Sequence, residues 1–395
     1  MIRKITQTDL NNKKVFLRVD LNVPVSEGVI LDETRINKII PTIEYLINAN
    51  AKIILASHFG RPKSSDDQQY SLNFLQKILS KKLNQEVLFC SEAVGEKAEN
   101  MANGLNSKQV MLLENLRFYP GETKNDFEFA TSLSKLADVY VNDAFSCSHR
   151  AHASISELAE ILPSFAGLLL EDEIDNLSNH LNSSNKPMMA IIGGSKVSSK
   201  LDLLNNLMDK VDYLVIGGAM ANTFLKAKGI EIGKSFYEED LLEAAKKILK
   251  YQNKCKIILP HDVVVAKAIA SNISNSIVSL DNISCEQMIL DIGPLTCSTI
   301  NQLLQECKTV VCNGPLGVFE HFPFCVGTIS VAQAIAKLTK EKKLISVAGG
   351  GDIVAALSSA GLFEQFSYIS TAGGAFLEWL EGKALPGIKV LSHSN

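Results

Sequence analysis

The chain has 395 residues, 46% of them hydrophobic and 21% charged, with a formal net charge of −4. That length suits two α/β domains with ample core, and the slight negative balance offers no basic field for nucleic acid or an anionic membrane. No apolar run is long enough to span a bilayer, and the opening MIRKITQTDLNNKKVFLRVD has no signal-like apolar stretch, so a cytoplasmic protein is expected.

In chain order, the first strand candidates are KVFLRVD at 14–20, AKIILASH at 51–58, QVMLLEN at 109–115 and DVYVNDAF at 138–145. PMMAIIGG at 187–194, DYLVIGG at 212–218 and CKIILPHD at 255–262 follow. TVVCNGP at 309–315, KLISVAGG at 343–350 and YISTAGG at 368–374 complete the set. Between them, stretches such as SLNFLQKILSKKL and EEDLLEAAKKILKY repeat apolar residues at helical spacing. Continuous apolar strands separated by helices predict parallel sheets covered on both faces, here an α/β chain of doubly wound type with two sheets. A boundary is expected within 155–187, where Pro163 and Gly167 interrupt the pattern. There a helical LLLEDEIDNLSNHL leads into the polar NSSNKP.

The eight cysteines, at 90, 147, 255, 285, 297, 307, 312 and 325, form no CxxC pair. They read as buried thiols in a reducing compartment, which disfavours a zinc site at Cys147.

Ligands of open parallel sheets bind beyond the carboxyl ends of the strands. In the first half those ends are charged: Asp20 and Asn22, His58 and Arg61, Arg117, then Asn142 and Asp143 followed by Arg150, with Arg35 after the first. Guanidinium forks converging there suit a small, highly charged anion. In the second half the ends carry glycines: Gly193–Gly194, Gly217–Gly218, Gly349–Gly351 and Gly373–Gly374. Glycine lets backbone N–H groups approach a phosphate beside a helix start, which suits a nucleotide. Two half-sites of different character suggest transfer between two ligands.

GGSKVSSK should open a helix, with Lys196 and Lys200 four apart on one face and an anion between them. In AGGGD, Asp352 reads both as an N-cap and as a Mg²⁺ ligand beside nucleotide phosphates. GIEIGKS at 229–235 is not a Walker A loop, because it is one residue short and no strand leads into it. No GxGxxG occurs, which counts against a nicotinamide dehydrogenase. A non-catalytic nucleotide-binding module would leave the anion half without purpose.

VFLRVDLNVP, SHFGRP, LLENLRF, DAFSCSHRAHAS, GGSKVSSK, GGAMANTF, LDIGP, NGPLGVFE, AGGGD and LEGKALPG occur in that order along essentially the whole chain. The set resembles the phosphoglycerate kinase family. The resemblance implies two Rossmann-like domains, 1–165 and 187–379, joined by a helical hinge at 166–186, with the tail 380–395 packing back on the first domain. It implies a glycolytic, cytoplasmic, monomeric kinase that closes about its hinge. Its reaction would be reversible in-line transfer of the acyl phosphate of 1,3-bisphosphoglycerate to MgADP, giving 3-phosphoglycerate and MgATP.

By motif, the resemblance implies that Arg61, Arg117 and Arg150 hold the 3-phosphate. Asp20, Leu21, Asn22, Arg35, His58, Phe59 and Gly60 would line the rest of the substrate site. Arg35, Lys196, Gly373 and Gly374 would stabilise the moving phosphoryl group, and Lys200 the nucleotide phosphates. Asp352 would hold Mg²⁺, Glu320 would meet the ribose, and Asn313 and Gly349, Gly350 and Gly351 would lie near. Gly217, Gly218 and Gly293 would line the adenine pocket. The chain departs from the family pattern at Ala372, Phe376 and Cys312. SCSHRAH replaces the commoner GTAHRAH, which makes Cys147 a bystander.

Overall fold

The computed structural model describes residues 2–26, 28–64, 66–180, 186–250, 255–370 and 372–392. The expected polar connector at 182–185 and the end of the tail at 393–395 lie outside them. The chain divides into two compact units, Met1–Asp175 with Ala384–Asn395, and Asn176–Lys383. Among the described residues, no helix is long and apolar enough to cross a membrane.

The first unit holds β1 (Lys14–Arg18), β2 (Val25–Ser26), β3 (Val29–Ile30), β4 (Lys52–Ala56), β5 (Val87–Cys90), β6 (Val110–Leu113), β7 (Val139–Asn142) and β8 (Ser164–Ala166). Six of these form one parallel sheet in the order β5-β6-β4-β1-β7-β8, while β2 and β3 pair as a hairpin. The period of two along each strand builds two core layers. Val15, Leu17, Ile53, Leu55, Val110 and Leu112 pack on one face. Phe16, Ile54, Met111, Leu113 and Tyr140 pack on the other. The chain passes from one side of β1 to the other when it leaves β6 for β7, so the crevice between β1 and β7 is a switch point.

The second unit holds β9 (Met188–Ile192), β10 (Tyr213–Ile216), β11 (Lys256–Ile258), β12 (Asp262–Ala266), β13 (Asn275–Ser279), β14 (Met288–Ile292), β15 (Thr309–Asn313), β16 (Ile345–Gly349) and β17 (Tyr368–Ser370). Its parallel sheet runs β11-β10-β9-β15-β16-β17, with the switch point between β9 and β15.

Each of the ten apolar runs contains a strand, and the two doubly wound parallel sheets are present. A separate antiparallel sheet, β13-β12-β14, was not anticipated. CKIILPHD, read as one strand, is broken after β11, and β12 starts a new sheet at Asp262. β13 is mostly exposed and polar, so its sequence shows no apolar run, and only pairing across the chain makes it a strand. All eight cysteines are free, and Cys285 is exposed rather than buried.

Asp143, at the end of β7, is fully buried and accepts a hydrogen bond from the Leu170 amide at 3.0 Å, in the first turn of the helix Leu168–His180. Burial pushes its carboxyl from 3.8 up to about 6, against smaller pulls from the Thr42 hydroxyl and the Leu170 and Leu169 amides. The folded state therefore holds a proton that the unfolded state releases, and this group's contribution falls as pH rises from 3.8 to about 6. Asp143→Asn, which cannot titrate, should gain stability relative to the native protein across that window. Urea unfolding at several pH values checks this, and parallel stability curves would contradict it.

Candidate active site

The loops after β1, β4, β6 and β7 meet at one edge of the first sheet. Asp20 is the hub. Its Oδ2 accepts from Arg35 Nη1 at 2.7 Å and from the Ser146 hydroxyl at 2.5 Å, and its Oδ1 accepts from the Asn22 amide at 3.0 Å. Burial opposes its ionisation, but Arg35 and these hydrogen bonds outweigh burial and hold the carboxyl below its usual value. Arg35 also donates to the Asn22 carbonyl at 2.9 Å, and Asn22 Oδ1 accepts from the Gly60 amide at 2.9 Å. Leu21 is buried, with its amide on Ser57 Oγ at 2.9 Å. Phe59 packs against Tyr70 and Phe74. Asn115, buried at the end of β6, accepts from the Phe59 amide and donates to the Phe59 and Tyr70 carbonyls, so it locks one loop to the next.

Arg117 Nη1 donates to the Gly60 carbonyl at 2.5 Å. Arg150 Nε donates to His149 Nε2 at 3.1 Å. Arg61, Lys63, Arg117, Arg150 and His152 line one cavity, and no carboxylate is among its lining residues. Burial and the neighbouring Arg150 charge both work against the charge on Arg117. Burial first, then Arg18, Arg117 and Arg150, brings His152 down to about 4. Cations crowded around a cavity that no carboxylate lines favour an anion there.

Asp20, His58 and Cys147 offer three metal-type ligand atoms within 4.8 Å of one another. They form a hydrogen-bond network instead. His58 Nδ1 meets Arg18 Nη2 at 3.2 Å, and burial and Arg18 hold its imidazole well below the usual value. Burial, then Asp20, raises the Cys147 thiol. A buried thiol held protonated is neither a nucleophile nor a ready ligand.

In the second unit the strand ends approach backbone to backbone. A Cβ on Gly193 would lie 1.9 Å from the Pro315 carbonyl oxygen, and one on Gly217 would lie 2.2 Å from the Leu316 side chain. Gly218 has φ +65°, and its Cβ would lie 2.6 Å from the Gly194 carbonyl oxygen. Asn313 Nδ2 donates to the Gly349 carbonyl at 2.5 Å, and Gly350 (φ +107°) turns the chain into the helix Gly351–Ser359. A cavity of about 250 Å³ is lined by Gly194, Gly218, Ile289, Asp291, Leu316, Glu320 and Asp352, among others. Gly217 and Gly293 are not among its lining residues. Gly293 instead lies against the Asp262 carboxylate, which caps the helix Pro294–Leu304 through the Leu295 and Thr296 amides.

The helix expected to carry both lysines starts only at Leu201, so Lys196 sits in a preceding turn and Lys200 at the N-cap. The tight glycine approach of β9 to β15 needs those residues as a turn, with Val197 buried beneath it. Lys196 is exposed, whereas Lys200 Nζ donates to the Gly193 carbonyl at 2.5 Å and to Asn313 Oδ1 at 2.6 Å. Burial, partly offset by Asp352, lowers the Lys200 ammonium to about 8. Gly373 has φ +56° at the start of the helix Gly374–Leu380, with open space where a Cβ would be. Phe376 fills the core under Gly349, and Cys312 is buried within β15.

The family model for phosphoglycerate kinase matches residues 5–383. The chain belongs to the phosphoglycerate kinase family. The phosphoglycerate kinase of Methylorubrum extorquens is 51% identical over 384 residues, covering 97% of this chain and 96% of that one. That of Brucella abortus biovar 1 (strain 9-941) is 49% identical over 393 residues, covering 99% of each. The solved structure of phosphoglycerate kinase from Coxiella burnetii matches with a TM-score of 0.92 at 41% identity, over 99% of both chains. That from Pyrococcus horikoshii OT3 matches with a TM-score of 0.83 at 32% identity, over 99% of this chain and 98% of that one. As a phosphoglycerate kinase family member the chain is a phosphotransferase.

Sequence reading missed Arg18, Glu122, Ser146 and Ser154, which hold the first half-site from below. Arg18 lies inside an apolar strand and its partners Glu122 and Ser154 lie more than 100 positions from it, so although Ser146 and Ser154 flank Arg150 within one motif, spacing alone does not pair them. In the second unit, Gly193→Ala should cost about 1–3 kcal/mol, because its Cβ meets fixed backbone. Gly351→Ala, with open space at its Cβ, should stay within about 0.5 kcal/mol of the native protein. Denaturant melts of the two variants check this; equal stabilities would refute it.

Proposed function

We propose that this chain transfers the acyl phosphate of 1,3-bisphosphoglycerate to MgADP, giving 3-phosphoglycerate and MgATP, and the reverse. The observation that carries the reading is the carboxylate-free cavity lined by Arg61, Arg117 and Arg150. Guanidinium forks match a phosphate's oxygens, and their mutual repulsion selects a doubly charged group over a neutral one. Asp20 pins Arg35 beside Asn22, which suits the hydroxyl and carboxyl end of a glycerate. The glycine-walled cavity with Glu320 and Asp352 suits a nucleotide, with ribose at Glu320 and phosphates towards Asp352, in the first turn of the helix that follows Gly350.

Asp352 is an exposed carboxylate in the first turn of the helix Gly351–Ser359, beside that cavity and near Lys200. One accessible carboxylate fits magnesium, which keeps waters and takes phosphate oxygens. Bound there, magnesium would neutralise charge on the nucleotide phosphates. Cys147 is a buried thiol that burial holds protonated, so it offers no activated nucleophile. We infer direct, in-line transfer, with charge stabilised in the second unit by Lys196 and the amides following Gly373 and Gly374.

Lys196→Ala should lower turnover by roughly 10²–10³, the usual cost of losing one transition-state charge donor. A coupled assay of ATP-dependent 1,3-bisphosphoglycerate formation measures it, and near-native turnover would remove Lys196 from the mechanism. Arg150→Ala should weaken 3-phosphoglycerate binding and leave ADP binding nearly unchanged. Calorimetry showing both ligands equally weakened would overturn the assignment of the two half-sites.

A further inference from the structure

GIEIGKS is no phosphate loop, yet the segment it opens reaches the one that carries Lys196 and Lys200. Gly233 takes φ +57° and packs against the Gln287 carbonyl, where a Cβ would lie 2.2 Å away. The Lys234 amide donates to that carbonyl at 2.7 Å, and Ser235 Oγ accepts from the Ile289 amide at 2.9 Å. On its other side the segment is tied to the helix Gly218–Ala227. Asn222 Nδ2 donates to the Phe236 carbonyl, and the Glu238 amide donates to Thr223 Oγ1, both at 3.1 Å. Asn222 and Thr223 are buried, so the end of the segment is held firmly.

Glu238 then turns its carboxylate onto the lysine turn. The Ser198 amide donates to one carboxylate oxygen at 3.1 Å, and the Ser198 hydroxyl donates to the other at 2.5 Å. Ser198 is midway between Lys196 and Lys200. The two carboxylate oxygens thus grip a single residue of the turn at both its amide and its hydroxyl, a two-point clamp on that residue. The rest of the turn is self-supporting: Ser199 Oγ donates to the Lys196 carbonyl at 2.9 Å, and the Lys200 amide donates to the Val197 carbonyl at 2.9 Å.

We propose that Glu238 is a positioning residue for phosphoryl transfer, acting through Ser198 to hold the turn that presents Lys196. The proposal rests on the role given to Lys196 above. Lys196 is exposed and on a turn, so its ammonium is only as well placed as its backbone, and a small misplacement of a charge donor is costly in turnover. The clamp belongs to the second unit and shares no residue with the arginine cavity of the first, so binding of 3-phosphoglycerate should not depend on it.

The test is steady-state kinetics of the full-length chain with 3-phosphoglycerate and MgATP, for Glu238→Ala, Glu238→Gln, Ser198→Ala and the double variant Glu238→Ala/Ser198→Ala. Glu238→Ala should lower kcat about tenfold and leave KM for 3-phosphoglycerate within twofold of native. Glu238→Gln keeps one acceptor oxygen and should recover most of the loss. Ser198→Ala should add nothing to Glu238→Ala, because both break one clamp. Native kcat in Glu238→Ala, no recovery in Glu238→Gln, or losses that multiply in the double variant would each overturn the proposal. If Glu238→Ala fails to fold, Ser198→Ala decides it: kcat should fall with KM for 3-phosphoglycerate within twofold of native, and native kcat there would overturn the proposal. Lys196→Ala is assayed alongside. A large loss there with native Glu238→Ala rejects the clamp alone, whereas native turnover in Lys196→Ala rejects the functional reading beneath it.

Discussion

Arg18 has 1% of its side chain exposed, and a buried guanidinium must find its partners inside the protein. Its Nε donates to Ser154 Oγ at 2.8 Å, its Nη2 meets His58 Nδ1 at 3.2 Å, and its Nη1 donates to the Val19 carbonyl. Its counter-charge is Glu122, at 4.0 Å and itself fully buried. Glu122 is occupied in turn by the Ser154 amide and hydroxyl. One charge therefore binds together the ends of β1 and β4, the turn at Pro120–Thr123 and the stretch that follows Arg150. Those segments carry or adjoin Asp20, His58, Arg117 and Arg150. Removing one member of such a pair leaves a stranded charge, typically at about 3–5 kcal/mol, so the network is obligatory once it is buried.

The same charge sets the chemistry above it. Arg18 helps to keep His58 and His152 neutral. Neutral imidazoles leave the positive field to the arginines, which stay charged at any physiological pH. The first half-site is thus preorganised by repulsion among cations that are held apart by hydrogen bonds to backbone and to Asp20. The second half-site works differently. There the constraint is close packing of backbone at the β9–β15 switch point, where Gly193, Gly218 and Gly314 stand too close to their neighbours for any side chain. The helices Gly218–Ala227 and Gly351–Ser359 start at those strand ends, and the proposed phosphate site adds the half-buried Lys200 ammonium to them.

Much of this was legible in the sequence. Parallel pairing places every strand end of a sheet at one edge, so charged residues after KVFLRVD, AKIILASH, QVMLLEN and DVYVNDAF had to converge once those runs were strands. Glycine pairs after the later strands were equally readable, because a glycine at a strand end has few other uses. The antiparallel β12–β14 sheet was not legible, because β13 has no apolar pattern and depends on partners across the chain. The lysine turn was misread as helix because helical spacing alone does not show that Gly193 packs on Pro315 and delays the helix to Leu201. Gly293 resembled a pocket residue but serves the Asp262 cap.

The sequence by itself determined the fold class, the family, and the two kinds of strand end, since each depends on residue type and spacing along the chain. Tertiary structure decided which of those residues touch. It made Asp20 the partner of Arg35 and Ser146, turned Lys200 back onto Asn313, and brought Glu238 to Ser198 across 40 positions. It also found Cys147 a place against His58, where burial keeps its thiol protonated. The reason is physical. Spacing along the chain fixes which face and which end a residue occupies, but hydrogen bonds and ion pairs depend on distances of about 3 Å that only packing of remote segments can set.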